Sequence, residues 1–373
     1  MRVGVDLLWV RPGKNGGTES YIRNLLEGFR QSDTNQVYVL FVSSDNCESF
    51  KKYTGSQFEI VICPVNTSCF VKRVIWENIK LKNYVKDQEI DVWFFPVYSR
   101  PFAKGMTPSV TVIHDLQALH FPSYFSWIRN AYFRLAWRKD CKKSTRVVTI
   151  SDFCRNDIVK NYHVNPQKVM VIYNPIIAED DSSNFDSIAK KYNIVSGNYY
   201  YTVSSLAKHK NLMTLLHAIK ILKAKGYADK LVISGVKVNA ESEIFEYIKQ
   251  NQLEDMIVYT GFISNMERNA LYDNCKKFLF PSVFEGFGMP PVEAIIRGIP
   301  VLTTKETSLF EVTEGCAEYV NNPYDADEWQ AKMVDTGMVI KSNDCSRLKG
   351  KYDIFEITTQ YQNLFDNVAS ANE

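Results

Sequence analysis

Two doubly wound α/β domains in tandem are predicted for this chain. Short apolar runs alternate with longer stretches of helical period from end to end, as parallel sheets covered by helices on both faces require. The pattern comes as two sets, divided at Asn174-Pro175 and the acidic, serine-rich Glu179-Asp180-Asp181-Ser182-Ser183-Asn184. The chemically loaded segments each follow directly after an apolar run, where open α/β sheets bind ligands.

In order, the first set has strand runs at residues 2–6, 37–42, 58–63, 92–95, 110–114, 147–151 and 169–173. Residues 18–30, 70–87 and 127–143 fill gaps between them at helical spacing. The second set has strand runs at 199–203, 231–234, 257–261, 278–282 and 300–303, with helical stretches at 212–225 and 266–274. A last helix is expected at about 353–367. These runs place domains at 1–173 and 174–350, a hinge near 174–197 and a terminal helical segment at 351–373.

At 373 residues with 45% apolar content, the chain has enough material for two cores. No apolar run approaches the length of a membrane span, and residues 1–6 read as a first strand with no signal peptide before it. The expectation is a cytoplasmic protein, at most peripheral to a membrane. The 8 cysteines are scattered singly without a C-x-x-C pair, so reduced, mostly buried thiols are expected. Charge is uneven: residues 1–173 carry a net +9 and the remainder a net −7, within a total of +2. Such asymmetry speaks to partners rather than to fold.

The richest segment is Pro281-Ser282-Val283-Phe284-Glu285-Gly286-Phe287-Gly288-Met289-Pro290-Pro291-Val292-Glu293-Ala294. Pro290 and Pro291 can open a helix, so Glu285 is expected in a strand-to-helix loop and Glu293 in or near the first turn. Gly286 and Gly288 admit close backbone approach, and a helix N-terminus suits an anion. A carboxylate on either side of a phosphate-binding turn suits a diphosphate flanked by sugars, as in a nucleotide sugar.

This string, followed by Gly298-Ile299-Pro300-Val301, resembles the E-x7-E signature of the family-4 retaining glycosyltransferases. The resemblance implies the GT-B fold: two Rossmann-like domains facing across a cleft, acceptor domain first and donor domain second. The terminal helix would return to the first domain. Glu285 would contact hydroxyls of the transferred sugar, Glu293 the nucleotide ribose, and amides around Phe287–Met289 the diphosphate or sugar. Ser204-Ser205-Leu206-Ala207-Lys208-His209-Lys210-Asn211 resembles the family segment that grips the donor phosphates with an arginine and a lysine. Lys210 matches the lysine, whereas the arginine position falls on Ser205. Lys208 or His209 is expected to supply part of the missing charge.

In the first domain, Gly13-Lys14-Asn15-Gly16-Gly17-Thr18 has the form of a phosphate-approach loop, with Thr18 as an expected helix cap. By itself a plain capped loop accounts for it. The resemblance implies that Gly16 and Gly17 face the donor phosphate and the acceptor. His114, at a strand end, would hydrogen-bond the transferred sugar or diphosphate, with Asp115 orienting the loop. His114, Lys210 and Glu285 form the expected catalytic set. Asp325-Ala326-Asp327 matches a D-x-D metal motif but reads better as a helix cap, so no metal and no other cofactor is expected.

Trp127–Lys143 interleaves Arg129, Arg134, Arg138, Lys139, Lys142 and Lys143 with aromatic residues. A crossover helix explains it; a surface for an anionic membrane or lipid-diphosphate acceptor is the sharper reading. The expected partners are a nucleotide sugar, GDP-mannose ahead of UDP-glucose, and a glycan or lipid-linked acceptor, with no nucleic acid. Two rivals are a non-catalytic nucleotide-sugar binder, motivated by Ser205, and an epimerase acting on UDP-GlcNAc.

Overall fold

The computed structural model describes residues 1–371 except 56, 99, 103–104, 107, 178–182 and 237–241. Residues 179–182 of the acidic divider therefore lie outside the described residues. The chain divides into two compact units, Met1–Ile177 with Tyr352–Glu373, and Ala178–Lys351.

The first unit holds a parallel sheet of β1 (Arg2–Asp6), β2 (Val37–Ser43), β3 (Phe58–Cys63), β4 (Val92–Phe95), β5 (Ser109–Ile113), β6 (Arg146–Thr149) and β7 (Val169–Val171), in the order 3-2-1-4-5-6-7. The second holds β8 (Tyr199–Val203), β9 (Lys230–Ser234), β10 (Ile257–Gly261), β11 (Lys277–Phe280), β12 (Val301–Thr303) and β13 (Glu318–Tyr319), also parallel, in the order 10-9-8-11-12-13. Each chain path runs to one edge and then returns to build the other. The loops after β1 and β4, and after β8 and β11, therefore diverge at a switch point, where such sheets open a crevice.

Strands in these sheets are buried on both faces, hence their unbroken apolar runs. All four residues of β4, Val92-Trp93-Phe94-Phe95, are buried. Strand β8 buries Tyr199, Tyr200 and Tyr201, and each hydroxyl finds an acceptor: Leu271 O at 2.7 Å, Met333 O at 3.1 Å and Ser234 Oγ at 2.9 Å. Burial of three tyrosines is tolerable because no hydroxyl is left unpaired.

The helix Gly17–Gln31 packs Tyr21, Ile22, Leu25, Leu26 and Phe29 into the first core. Its Gly28 is required by a close approach: a Cβ there would lie 2.1 Å from Thr358 Oγ1 on the terminal helix Ile354–Ser370. That helix is tied further by Tyr361 OH to Tyr21 OH at 2.6 Å and by Gln36 Nε2 donating to Asp366 Oδ1 at 3.0 Å.

Several expectations are corrected. The stretch 70–87 is two helices, Phe70–Ile79 and Leu81–Val85, broken at Lys80 where φ is −104°. The break lets fully buried Leu81 join Val39, Phe41 and Trp93 in the core. Strand β13 was not expected: two residues carry too little pattern, and Glu318 there serves the buried Lys277 amine at 2.9 Å. Thr18 is not the cap of its helix. Gly16 holds that position at φ 55° and ψ −133°, and the Thr18 hydroxyl donates to Asn15 O at 2.8 Å.

Candidate active site

In the second unit, β8 ends at Val203 and the chain turns through Ser204–Asn211 into the helix Leu212–Ala224. A short 3-10 turn, Lys208–Lys210, sets three basic residues side by side. The loop after β11 runs from Pro281 to Gly288 and enters the helix Met289–Ile296. The two loops meet. Val283 N donates to His209 O at 2.8 Å, and Lys210 Nζ reaches Glu285 Oε1 at 2.6 Å. Lys210 Nζ also lies 5.7 Å from the centre of the Phe280 ring.

The loop after β12 holds Glu285 by its backbone. Glu285 N donates to Thr307 Oγ1 at 3.0 Å, and Ser308 Oγ donates to Glu285 O at 3.0 Å and Phe287 O at 2.9 Å. Buried Phe284 and Phe287 anchor either side of Glu285 and Gly286. Gly288 is the helix N-cap at φ 91°, and a Cβ there would lie 2.6 Å from Leu309 Cδ2. Only glycine satisfies both the left-handed backbone and the contact.

Met289 begins the helix, so Glu293 falls in its second turn. The Glu293 carboxylate accepts from Tyr272 OH at 3.2 Å and lies 3.7 Å from Arg268 NH2. Arg268 carries no signal in the sequence, since it sits in the unremarkable helix Asn265–Asp273, and only folding brings it to Glu293. Ser205 is half-buried; its hydroxyl accepts from Ala207 N at 3.5 Å and shapes the turn. Lys208 is exposed. His209 cannot supply the missing positive charge: burial, then the neighbouring Lys210 ammonium, push its imidazole down to about 4.

His114, Gly16 and Gly17 belong to the first unit. His114 follows β5, and its Nε2–H donates to Pro96 O at 2.8 Å. The ring meets Tyr21 edge-on at 4.8 Å, and the Cys154 thiol donates to His114 O at 2.9 Å. Burial pushes this imidazole down to about 4, so near neutrality it is an uncharged hydrogen-bonding group. The loop before Gly16 is held by Gly13 N donating to Glu19 Oε2 at 2.9 Å, while Glu19 pairs with Arg23 at 2.8 Å.

The Asp325 carboxylate caps the helix Ala326–Val334, accepting from Asp327 N at 3.0 Å and Glu328 N at 3.1 Å. The D-x-D match is thus helix-capping chemistry. Among the described residues no group of three or more His, Cys, Asp or Glu is placed to hold a metal.

Two parallel-sheet units, each with a crevice at its switch point, define a doubly wound α/β class of protein. Residues 15–180 match the model of Glycosyltransferase Family 4, and residues 184–344 that of Glycosyl transferases group 1. The chain belongs to this family of glycosyltransferases. It is 29% identical over 221 residues to the O-antigen chain mannosyltransferase RfbU of Salmonella typhimurium strain LT2, covering 59% of this chain and 58% of that one. It is 25% identical over 234 residues to O-antigen chain mannosyltransferase B of Escherichia coli, covering 61% of each. The match thus spans about three fifths of these relatives. The fold is GT-B: the crystal structure of Anabaena HepE in complex with UDP and glucose is similar with a TM-score of 0.74 at 17% identity, over 98% of this chain and 100% of that one. Sucrose-phosphate synthase from Thermosynechococcus elongatus is similar with a TM-score of 0.78 at 13% identity, over 100% of both.

Proposed function

We propose that this chain is a retaining glycosyltransferase that moves mannose from GDP-mannose to a hydroxyl of a glycan or lipid-linked acceptor, without a metal ion. The observation that carries this reading is the Lys210–Glu285 contact at the β8/β11 switch point, immediately before the N-terminus of Met289–Ile296. The named mannosyltransferases among its relatives favour mannose as the sugar.

In the transfer, the bond between the anomeric carbon and the diphosphate oxygen breaks as the acceptor oxygen bonds to that carbon on the same face. The acceptor proton passes to the departing phosphate. Negative charge grows on the leaving diphosphate, where Lys210 and the amides around Phe287–Met289 can meet it, Pro290 and Pro291 having no N–H to offer. Arrival of the diphosphate gives Lys210 a second anionic partner, and Glu285 is then placed to accept hydrogen bonds from sugar hydroxyls. Glu293 would hold the ribose, in exchange with its present Tyr272 and Arg268 contacts. His114, neutral, would bond the sugar or diphosphate without adding charge. Metal independence is supported by the commitment of the Asp325 carboxylate to its helix cap.

Among the described residues no helix is long and apolar enough to cross a membrane. The helix Trp127–Lys143 buries Phe133, Ala136 and Trp137 yet leaves Trp127 78% exposed, with Ile128 and Leu135 also outside. Exposed apolar residues interleaved with Arg134, Arg138 and Lys142 fit peripheral contact with an anionic membrane.

Isothermal binding and nucleotide release with GDP-mannose, UDP-glucose, UDP-galactose and UDP-GlcNAc test the reading, with Glu293→Ala as control. Saturable binding of one donor with slow release of its nucleoside diphosphate, both lost in the variant, is expected. Binding with no release even when acceptors are supplied would instead favour the non-catalytic binder that Ser205 suggests. Conversion of UDP-GlcNAc to its epimer would sink the transfer reading outright.

A further inference from the structure

The second turn of the helix Met289–Ile296 is met by two side chains of the helix Asn265–Asp273. Arg268 and Tyr272 lie one turn apart there and converge on a single carboxylate, that of Glu293. Both ends of Asn265–Asp273 are pinned. Ser264 and Glu267 form a capping box at its start, and at its end Asp273 accepts from Arg297 Nε and NH2, each at 2.6 Å. Tyr272 is fully buried, and its hydroxyl donates to Glu293 Oε2 at 3.2 Å. Arg268 differs. Its NH2 stands 3.7 Å from Glu293 Oε1, too long for a hydrogen bond, and its side chain is 29% exposed. Charge therefore holds this guanidinium beside Glu293 without fixing its fork on the carboxylate.

We propose that Arg268 selects the base of the donor, favouring guanine through its O6 and N7. The inference rests on the nucleotide-sugar reading of this site and adds to it a residue that sets the nucleotide. The groups of the site follow one another in the order of a nucleoside diphosphate. Lys210 meets Glu285 first, then come the amides around Phe287–Met289, then Glu293 in the second helical turn, with Arg268 beside it from the neighbouring helix. With the diphosphate at the first two and the ribose at Glu293, the base falls to Arg268. A guanidinium offers donors only, in a planar fork. Guanine sets two acceptors side by side, O6 and N7, which that fork can bond together. Adenine places a donor beside its acceptor, and uracil offers the single acceptor O4 on that edge. Ribose hydroxyls arriving at Glu293 occupy its oxygens, which lets Arg268 turn from the carboxylate to the base.

The test is calorimetric binding of GDP, 7-deaza-GDP, ADP and UDP to the full chain, 7-deaza-GDP lacking only the N7 acceptor. Wild type is compared with Arg268→Met, which keeps an apolar stem and removes every donor, and with Tyr272→Phe, which removes the hydroxyl partner of Glu293. Thermal melting is the fold control. Wild type should bind GDP at least about tenfold more tightly than 7-deaza-GDP or UDP. Arg268→Met should close both gaps by weakening GDP alone. Tyr272→Phe should change the four affinities by one common factor and leave the gaps in place. A guanidinium that merely positions Glu293 would behave as Tyr272 does, so a common loss for every nucleotide in Arg268→Met overturns the proposal. A GDP preference that survives in Arg268→Met overturns it as well. So does equal binding of GDP and 7-deaza-GDP by wild type, a comparison that needs no variant to fold. Nucleotide release from GDP-mannose and UDP-glucose is measured in parallel on wild type. Release without a guanine preference sinks the base selector alone; failure of all four nucleotides to bind sinks the nucleotide-sugar reading and the selector with it.

Discussion

At the β8/β11 switch point the two loops touch, and a lysine and a glutamate 75 positions apart close to 2.6 Å. At the β1/β4 switch point the corresponding loops stand off around a cavity lined by three arginines. Apart from the extra edge strand β7, the strand order is the same in both sheets, so topology supplies a crevice in each and side-chain chemistry decides its use. The second crevice pairs its facing charges, Lys210 with Glu285. The first leaves positive charge unbalanced. That difference teaches that one switch point is closed by an ion pair and the other is left as open space lined by guanidiniums.

The comparison breaks most readily at its tightest contact. Glu285→Gln or Lys210→Met should lower nucleotide release on the order of 10²- to 10³-fold, the usual cost of one preorganised charge-stabilising group. A loss below threefold in steady-state release would remove both residues from the chemistry. Gly288→Ala comes next. With φ at 91° and Leu309 in the way, it should cost about 3 kcal/mol in denaturant unfolding of the 178–351 unit. Gly16→Ala meets open space and only backbone strain, so it should cost about 1–2 kcal/mol. Equal costs would mean that the Leu309 contact relaxes freely.

The smallest effect is a slope. His114 is held neutral down to about pH 4 when folded, against an ordinary value of 6.5. The unfolded chain therefore binds the extra proton first, and this group's contribution to stability falls as pH drops from 6.5 towards 4. Burial pushes the Asp140 carboxyl up to about 7 from an ordinary 3.8, which tilts the curve the other way across that whole range. The difference between wild type and His114→Gln isolates the histidine. The Tm of the variant should fall less steeply between pH 6.5 and 4.5, and parallel curves would show that His114 is not desolvated as placed.

Alternating apolar runs and helical stretches, their division into two sets, and the loop carrying Glu285 before a proline-opened helix could all be read from the chain. These are local patterns, written in spacings of two to four residues and in glycine and proline. Where the pattern was short or locally ambiguous, as at β13 and Lys80, packing against distant partners decided, while at the Gly16 cap the Thr18 hydroxyl turns to the nearby Asn15 O instead. The sequence also placed Lys210 and Glu285 after their strands, but their contact waits on the strand order that makes β8 and β11 neighbours. The neutrality of His114 and His209 depends on burial, which no stretch of sequence carries alone. Arg268 beside Glu293, and Arg11, Arg73 and Arg129 around one cavity, come from loops and helices with no sequence pattern in common. Only the tertiary structure could assemble them, because charge and solvation depend on distance in space rather than along the chain.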